Sequence, residues 1–287
     1  MRSVPVGDDD SHRVNTKFKG NLKISNVEGV TTLHELAQHA FKKYGHKNAM
    51  GEREYLGPHT PKVQKFGEVS WRTYDQVKEE SLKFGASLRS AGLVAAPEKS
   101  TLDKLTTPCT LAIFENTCPE WMTAALGAYS QVRGASCFVV IYIRLLLLLL
   151  FVFSTRFSFS PSFVPPQSIS VTTVYATLGI DAVIDSVNDG RIRAIVCNKK
   201  SVKILLGNLK DMPTLMVIIY TNNMIAPGEE IDLPAAPKGV TVVSFQDFVN
   251  AGDTKAFTVV PPKPDTTAVI MYTSGSTGES FISTFVS

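Results

Sequence analysis

Glycine and hydroxyl side chains are concentrated in one short loop near the end of the 287-residue chain, directly after an apolar run. The loop consists of Thr273, Ser274, Gly275, Ser276, Thr277 and Gly278. Glycines let the backbone turn sharply and bring its N–H groups close to an anion, and the hydroxyls add further donors. The pattern therefore predicts a phosphate-binding loop, although Ser- and Gly-rich stretches also occur as solvated linkers. It is not a Walker A motif, because Glu279 and Ser280 follow it.

The strand that must position this loop belongs to an alternating series of strands and helices. Apolar runs at 111–114, 194–197 and 215–220 predict buried strands, and apolar residues at three- and four-residue spacing between them predict helices. Because each strand is a continuous apolar run, we expect an α/β fold with a mostly parallel sheet and helices on both faces. Such sheets bind ligands at the carboxyl ends of their strands, where the loop after 268–272 lies.

Capping residues predict where three of the helices begin. Thr31 or Thr32 can cap a helix that ends before Gly45, and Thr73 can cap a second helix. Pro119 stands at the start of a third helix, where its missing N–H costs nothing. These helices are expected to cover the sheet.

Several motifs occur along the chain in a fixed order. They are 51–54 (GERE), 66–74 (FGEVSWRTY), 112–122 (AIFENTCPEWM), 174–179 (VYATLG) and 267–278 (TAVIMYTSGSTG). Together they resemble the long-chain fatty acid–CoA ligases of the adenylate-forming, AMP-binding superfamily. The resemblance covers most of residues 1–131 and 168–278. It implies an incomplete N-terminal part of the large domain of the adenylate-forming fold.

The resemblance also implies a two-step reaction. A fatty acid carboxylate attacks the α-phosphorus of ATP to give an acyl-adenylate and pyrophosphate, and the thiol of CoA then forms the thioester and releases AMP. The loop residues 273–278 would cradle the β- and γ-phosphates, with Mg²⁺ sharing the charge. The implied partners are a long-chain fatty acid, ATP and CoA. The implied location is intracellular, on an organelle membrane such as the endoplasmic reticulum. Trp121 and Tyr175 are candidates for a fatty-acid tunnel, but core packing fits their spacing better.

The residues after the loop depart from the pattern of this family. There the loop continues with one residue and then Pro-Lys-Gly, whereas residues 279–287 of this chain read ESFISTFVS. The family's downstream half, with its adenine, ribose and magnesium contacts and a catalytic lysine, has no counterpart in residues 1–287. We therefore assign no catalytic residue and expect the chain to be inactive alone. Two alternatives are a non-catalytic membrane-associated or regulatory fragment and an unrelated nucleotide-binding module.

One apolar segment interrupts the domain at 132–167 and contains six consecutive leucines. Residues 138–153 within it resemble a short membrane helix with one internal arginine, Arg144. A retained intron is our preferred hypothesis, because Val132-Arg133 can be encoded by a donor-like GTAAGG and Gln167 by an acceptor-like CAG. The predicted organisation is thus 1–131 and 168–278 as two parts of one AMP-binding domain, 132–167 as an insertion, and 279–287 as an aberrant tail.

Composition excludes other classes of function. The net charge is only +3 and no basic stripe is present, so nucleic acid is not an expected partner. The four cysteines, Cys109, Cys118, Cys137 and Cys197, form no C-x-x-C pair, which favours reduced thiols and no metal site.

We also expect the strand at 268–272 to be left with an exposed edge that favours association between chains.

Overall fold

The structure is a computed structural model that describes residues 3–6, 9–15, 27–60, 63–93, 110–133, 167–174, 179–264, 267–274 and 280–286. The part of the AMP-binding motif at 275–278 and the insertion at 134–166 lie outside the described residues. Among the described residues, none of the helices is both long enough and apolar enough to cross a bilayer.

Six α-helices lie in the described part of the chain. They are α1 (Leu33–Tyr44), α2 (Tyr74–Ser90), α3 (Pro119–Tyr129), α4 (Ile180–Asp189), α5 (Val202–Gly207) and α6 (Phe245–Asn250). The predicted caps at two of them are confirmed, because Thr32 and Thr73 each form a complete capping box. Pro119 is the first residue of α3, also as predicted.

The strands of the described residues form one large sheet and three two-stranded antiparallel sheets. The small sheets pair β1 (Ser3–Val6) with β2 (Asp9–Asn15), β3 (Asn48–Thr60) with β4 (Val63–Thr73), and β6 (Val132–Arg133) with β7 (Gln167–Ser168). The large sheet contains β5 (Thr110–Phe114), β8 (Ser170–Thr173), β9 (Ala194–Asn198), β10 (Val217–Thr221), β11 (Thr241–Ser244), β12 (Thr267–Ser274) and β13 (Ser280–Val286).

The large sheet is parallel except at one edge. Its strand order is β11-β10-β9-β5-β8-β12-β13, and only β13 runs antiparallel to its neighbour. Chain order and strand order differ, because β5 lies between β9 and β8, which both follow it in the sequence. The carboxyl ends of the six parallel strands therefore meet at one edge of the sheet, as the sequence predicts.

Helices cover both faces of this sheet, which confirms the predicted α/β fold. Alternate residues of each inner strand point to opposite faces, so Leu111 and Ile113 join one buried cluster while Ala112 joins the other. Helices α2, α3 and α6 pack on the first face, where the Phe84 ring stacks on Phe245 with centroids 5.1 Å apart. Helices α4 and α5 pack on the second face through residues such as Val183 and Leu205. Burial of these apolar side chains is the main stabilising contribution.

Two helices of the first face approach each other unusually closely. A Cβ atom at Gly85 of α2 would lie 2.6 Å from the carbonyl oxygen of Gly127 in α3, and one at Gly127 would lie 2.7 Å from the carbonyl oxygen of Ser81. Only glycine allows backbones to approach to this distance. The crossing fixes α3, and with it the chain that leads into β6.

Three strands differ from the prediction. The short strand expected at 68–71 is instead one arm of the long β3–β4 hairpin. The expected strand at 268–272 extends to Ser274, two residues into the predicted loop. The prediction that its edge is exposed is wrong, because residues 280–286 of the expected tail form β13 and cover that edge. Backbone pairing along 267–274 satisfies donors and acceptors that the sequence pattern alone leaves open.

The two ends of the apolar insertion lie side by side. Val132 pairs with Ser168 and Arg133 with Gln167 in the antiparallel β6–β7 pair. The backbone N–H of Ile169 also donates to the carbonyl oxygen of Gln131, at 3.2 Å. The domain therefore continues across the insertion with little separation between its two ends.

Candidate nucleotide site

The predicted phosphate loop begins at the carboxyl end of a buried parallel strand. Ala268 and Ile270 of β12 are 3% and 1% exposed, and β12 pairs with β8 through Met271 and Thr173. A strand held on both sides and buried beneath helices is a rigid support for a ligand loop. The geometry around β12 thus places the start of the loop at the edge where α/β sheets bind ligands.

The predicted loop residues divide between the strand and the segment that follows. Thr273 and Ser274 lie in β12, opposite Phe281 and Ser280 of β13. Gly275, Ser276, Thr277 and Gly278 lie outside the described residues, so the structure describes only the first two residues of the loop. The role of all six residues in phosphate binding stays a prediction.

A buried carboxylate at the same edge was not foreseen from the sequence. Glu115 directly follows β5 and is only 6% exposed. Its Oε2 accepts from the hydroxyl of Thr221 at 2.5 Å, and its Oε1 accepts from the backbone N–H of Asn116 at 2.8 Å. The side-chain Nδ2 of Asn223 donates to the same Oε1 at 3.3 Å. Three donors from two segments therefore compensate the desolvation of this charge.

The Glu115 network joins two strands that are not neighbours in the sheet. Thr221 ends β10 and Glu115 follows β5, with β9 between them. Cys197 of β9 lies beneath the network, and burial, together with the nearby Glu115 charge, raises the pKa of its thiol far above the ordinary value. Cys197 is fully buried in the core cluster on the second face of the sheet, so it is a packing residue. The sequence feature that could have identified Glu115 is a carboxylate directly after an apolar strand.

The described side chains of α3 support packing rather than a ligand tunnel. Trp121 packs against the buried cluster on the first face of the sheet, which agrees with the predicted packing role. Tyr129 lies close to the end of the same helix, and burial raises its pKa to about 12. Burial also raises the pKa of Cys118, at the start of α3, well above its usual range. Tyr175, the second tunnel candidate, lies outside the described residues.

Comparison with known proteins supports the resemblance that the motifs suggest. Residues 166–280 match the family described as AMP-binding enzyme. Long chain acyl-CoA synthetase 7, peroxisomal, of Arabidopsis thaliana is 29% identical over 253 residues, which are 87% of this chain and 27% of that protein. Long-chain-fatty-acid--CoA ligase 2 of Schizosaccharomyces pombe is 26% identical over 91% of this chain and 33% of its own length. The chain thus spans about a third of the length of these relatives.

Solved structures show the same fold. The anthranilate CoA ligase AuaEII with anthranoyl-AMP has a TM-score of 0.55 at 12% identity, over 92% of this chain and 35% of that one. The A-PCP didomain of carboxylic acid reductase from Segniliparus rugosus with AMP has a TM-score of 0.56 at 12% identity, over 91% and 32%. These findings confirm the predicted adenylate-forming fold and the resemblance to long-chain fatty acid–CoA ligases.

Proposed function

We propose, from the match of residues 166–280 to the AMP-binding enzymes, that this chain supplies the phosphate-loop part of a long-chain fatty acid–CoA ligase. The proposed reaction converts a fatty acid, ATP and CoA into acyl-CoA, AMP and pyrophosphate through an acyl-adenylate. The observation that carries the proposal is the position of the matched loop, which follows an inner strand at the carboxyl edge of a parallel sheet.

The chemical task of this loop is to hold the polyphosphate of ATP. Adenylation brings an anionic carboxylate to the α-phosphorus of a polyanion, so the β- and γ-phosphates must be neutralised and oriented. Backbone N–H groups at Gly275 and Gly278 and the hydroxyls of Ser276 and Thr277 are the proposed donors. We propose that the preceding strand β12, which is paired on both sides, serves to orient these donors, since preorganised donors reduce reorganisation when the transition state forms.

The residue after the loop is proposed to weaken phosphate binding. Glu279 directly follows the proposed phosphate loop in the sequence, and a carboxylate repels phosphate groups. We therefore propose that ATP binding by residues 1–287 is weak, and that Glu279→Gln strengthens it.

Mg²⁺ is proposed to arrive bound to the phosphates of ATP. Among the residues that the structure describes, no group of three or more His, Cys, Asp or Glu side chains could hold a metal ion.

The proposed location is intracellular. Two of the relatives from Arabidopsis thaliana are named peroxisomal. Association with an organelle membrane stays a prediction, since the apolar segment at 138–153 lies outside the described residues.

Photolabelling of the full chain tests the phosphate loop directly. The probe is ATP that carries a photoreactive azidoanilide on its γ-phosphate, and the labelled peptide is identified by mass spectrometry. We expect the label within residues 267–286, with competition by ATP and pyrophosphate but not by AMP. Gly275→Pro should abolish labelling because proline removes an N–H donor and restricts the backbone. Gly207→Ala, at the end of α5 with no atom within 4 Å of the added methyl group, is the matched control.

Thioester formation tests the proposed reaction itself. The chain is joined to the remaining segment of the Schizosaccharomyces pombe ligase, and palmitoyl-CoA is measured with ATP and CoA present. A folded hybrid that labels at the loop but forms no palmitoyl-CoA would contradict the ligase proposal. Labelling outside residues 267–286 would contradict the phosphate-loop proposal.

A further inference from the structure

Strand β13 is the last strand at one side of the large sheet. Its inner side pairs with β12, continuously from Ser280 opposite Ser274 to Phe285 opposite Val269. Among the strands that the structure describes, none pairs with its outer side. Backbone N–H and C=O groups alternate between the two sides of a strand, so about half of those in β13 face away from β12. The strand therefore has a seven-residue edge to which another strand can pair.

The sequence of β13 contains none of the features that usually protect such an edge. Natural edge strands are protected by lysine or other charged residues, by proline, by a bulge or by a short length. Residues 280–286 read SFISTFV, without a charged residue, a proline or a glycine. The strand at the opposite side of the sheet, β11, has only four residues, which limits pairing there. Of these two outer strands, β13 is thus the one that favours pairing with a further strand.

The residues of β13 are also arranged symmetrically about its centre. Phe281 and Phe285 stand two positions before and after Ser283, and the β-branched residues Ile282 and Thr284 stand one position before and after it. If two copies of the strand pair antiparallel over all seven residues, Ser283 lies opposite Ser283. Each Phe281 then lies opposite Phe285 of the other copy. Cross-strand pairs of aromatic and of β-branched residues stabilise antiparallel sheets.

We propose that two copies of this chain associate by antiparallel pairing of their β13 strands. Both copies use the same edge about a two-fold axis, so the interface is isologous. Pairing covers the unprotected edge of each copy, and association therefore stops at the dimer instead of continuing as a filament. A second copy is the best matched partner, because it supplies a strand of equal length, without charge, and with the aromatic spacing that the symmetric pairing requires.

The strand directions determine where the candidate nucleotide sites lie in this dimer. Strand β12 runs antiparallel to β13, and the two β13 strands run antiparallel to each other. The β12 strands of the two copies consequently run in opposite directions, and their carboxyl ends lie at opposite edges of the joined sheet. The two candidate phosphate sites are therefore far from each other, and formation of the dimer requires no nucleotide.

Sedimentation equilibrium of the full chain over a range of concentrations tests the proposal. We expect a species of twice the chain mass of 31.3 kDa. Ser283→Lys and Ser283→Glu should each raise the dissociation constant of the dimer about tenfold or more, because like charges then lie opposite each other at the axis. An equimolar mixture of the two variants should recover the dimer, since opposite charges now meet. Thr241→Lys, at an exposed position of β11, is the control and should leave the dissociation constant unchanged.

A disulfide at the axis tests the register independently. Opposing Cα atoms of an antiparallel pair lie about 4.5–5.5 Å apart, which is within the range of a disulfide. Oxidised Ser283→Cys should therefore give a 283–283 cross-linked peptide in mass spectrometry. Ser280→Cys should give no 280–280 cross-link, because its counterpart lies six residues away along the strand, or about 20 Å.

The outcomes separate this interface from other routes of association. A monomer at all concentrations would overturn the proposal, and so would oligomers that do not respond to charge at position 283. Circular dichroism shows whether each variant keeps its fold, and the 283–283 disulfide decides the matter where a charged variant does not fold. These measurements contain no nucleotide. Failure of the loop labelling therefore does not affect the dimer, and the reverse also holds.

Discussion

Replacing Thr221 by valine removes one donor from the buried Glu115 carboxylate while keeping the shape of the side chain. In the parent chain the Thr221 hydroxyl donates to Glu115 at 2.5 Å, and Thr221 is 2% exposed. Water therefore has little access to replace the lost donor. We expect Thr221→Val to be destabilised because the carboxylate stays buried with one partner fewer.

The magnitude follows from the remaining contacts. A hydrogen bond to a charged group contributes about 1.5–3 kcal/mol. The backbone N–H of Asn116 still donates at 2.8 Å, and the Nδ2 of Asn223 is a longer contact at 3.3 Å. Because one strong donor remains, we expect a loss of about 2 kcal/mol in the free energy of unfolding. In a chain of this size, such a loss lowers the melting temperature by about 4–8 °C.

Urea unfolding followed by circular dichroism measures this change. Thr241→Val is the matched control, because Thr241 is an exposed residue of the neighbouring strand β11. The control should change the free energy of unfolding by less than about 0.5 kcal/mol. A Thr221→Val variant as stable as the parent would refute the conclusion that Glu115 depends on this donor. A smaller loss from Thr221→Val in the Glu115→Gln background than in the parent background would support it.

Three further predictions concern packing, charge and the insertion. Gly127→Ala should lower the free energy of unfolding by about 1–2 kcal/mol, because overpacking at 2.7 Å from the Ser81 carbonyl oxygen outweighs the better helix propensity of alanine. The control variant Gly207→Ala should not lower the free energy of unfolding. An unchanged urea midpoint in Gly127→Ala would contradict the close crossing of α2 and α3. Burial raises the pKa of Glu80, so its contribution to stability is present below the unfolded pKa and is lost as the pH rises through the folded pKa. Glu80→Gln should therefore gain stability relative to the parent as the pH rises above about 4 in urea titrations, and a constant difference would disprove this assignment. Replacing residues 134–166 by Asn-Gly should increase the soluble fraction after expression, because a six-leucine segment favours aggregation. A two-residue turn can join β6 to β7, since Arg133 and Gln167 are paired. Reduced solubility would show that the segment is integral to the fold.

Local signals made much of this fold predictable. The capping threonines Thr32 and Thr73 fix where two helices begin, because each satisfies backbone donors within its own turn. The strands at 111–114 and 194–197 are found where their apolar runs predict them, since both faces of the parallel sheet are buried. The start of the phosphate loop at the carboxyl end of β12 follows from the same pattern.

Contacts between distant residues were not predictable in the same way. Glu115 and Thr221 are 106 residues apart, and only the strand order brings them together. Periodicity does not specify strand order, because many orders bury the same apolar runs. The pairing of 280–286 with β12 was also not predictable, because it depends on a free edge in the folded sheet rather than on local propensity. The pairing of Arg72 in β4 with Glu120 in α3, at 2.7 Å, likewise joins residues that are 48 positions apart in the sequence.

The position of β5 has a consequence for a chain cut within the insertion. Cleavage between Arg133 and Gln167 leaves β5 in the first fragment, whereas its two sheet neighbours, β9 and β8, belong to the second. Ladder hydrogen bonds on both sides of β5, together with the stacking of Phe84 in α2 on Phe245 in α6, would retain the first fragment in the sheet. The two fragments should therefore copurify as a noncovalent complex and separate only on unfolding. The insertion point is thus a natural junction for a split protein, in which reassembly of the two halves restores the sheet.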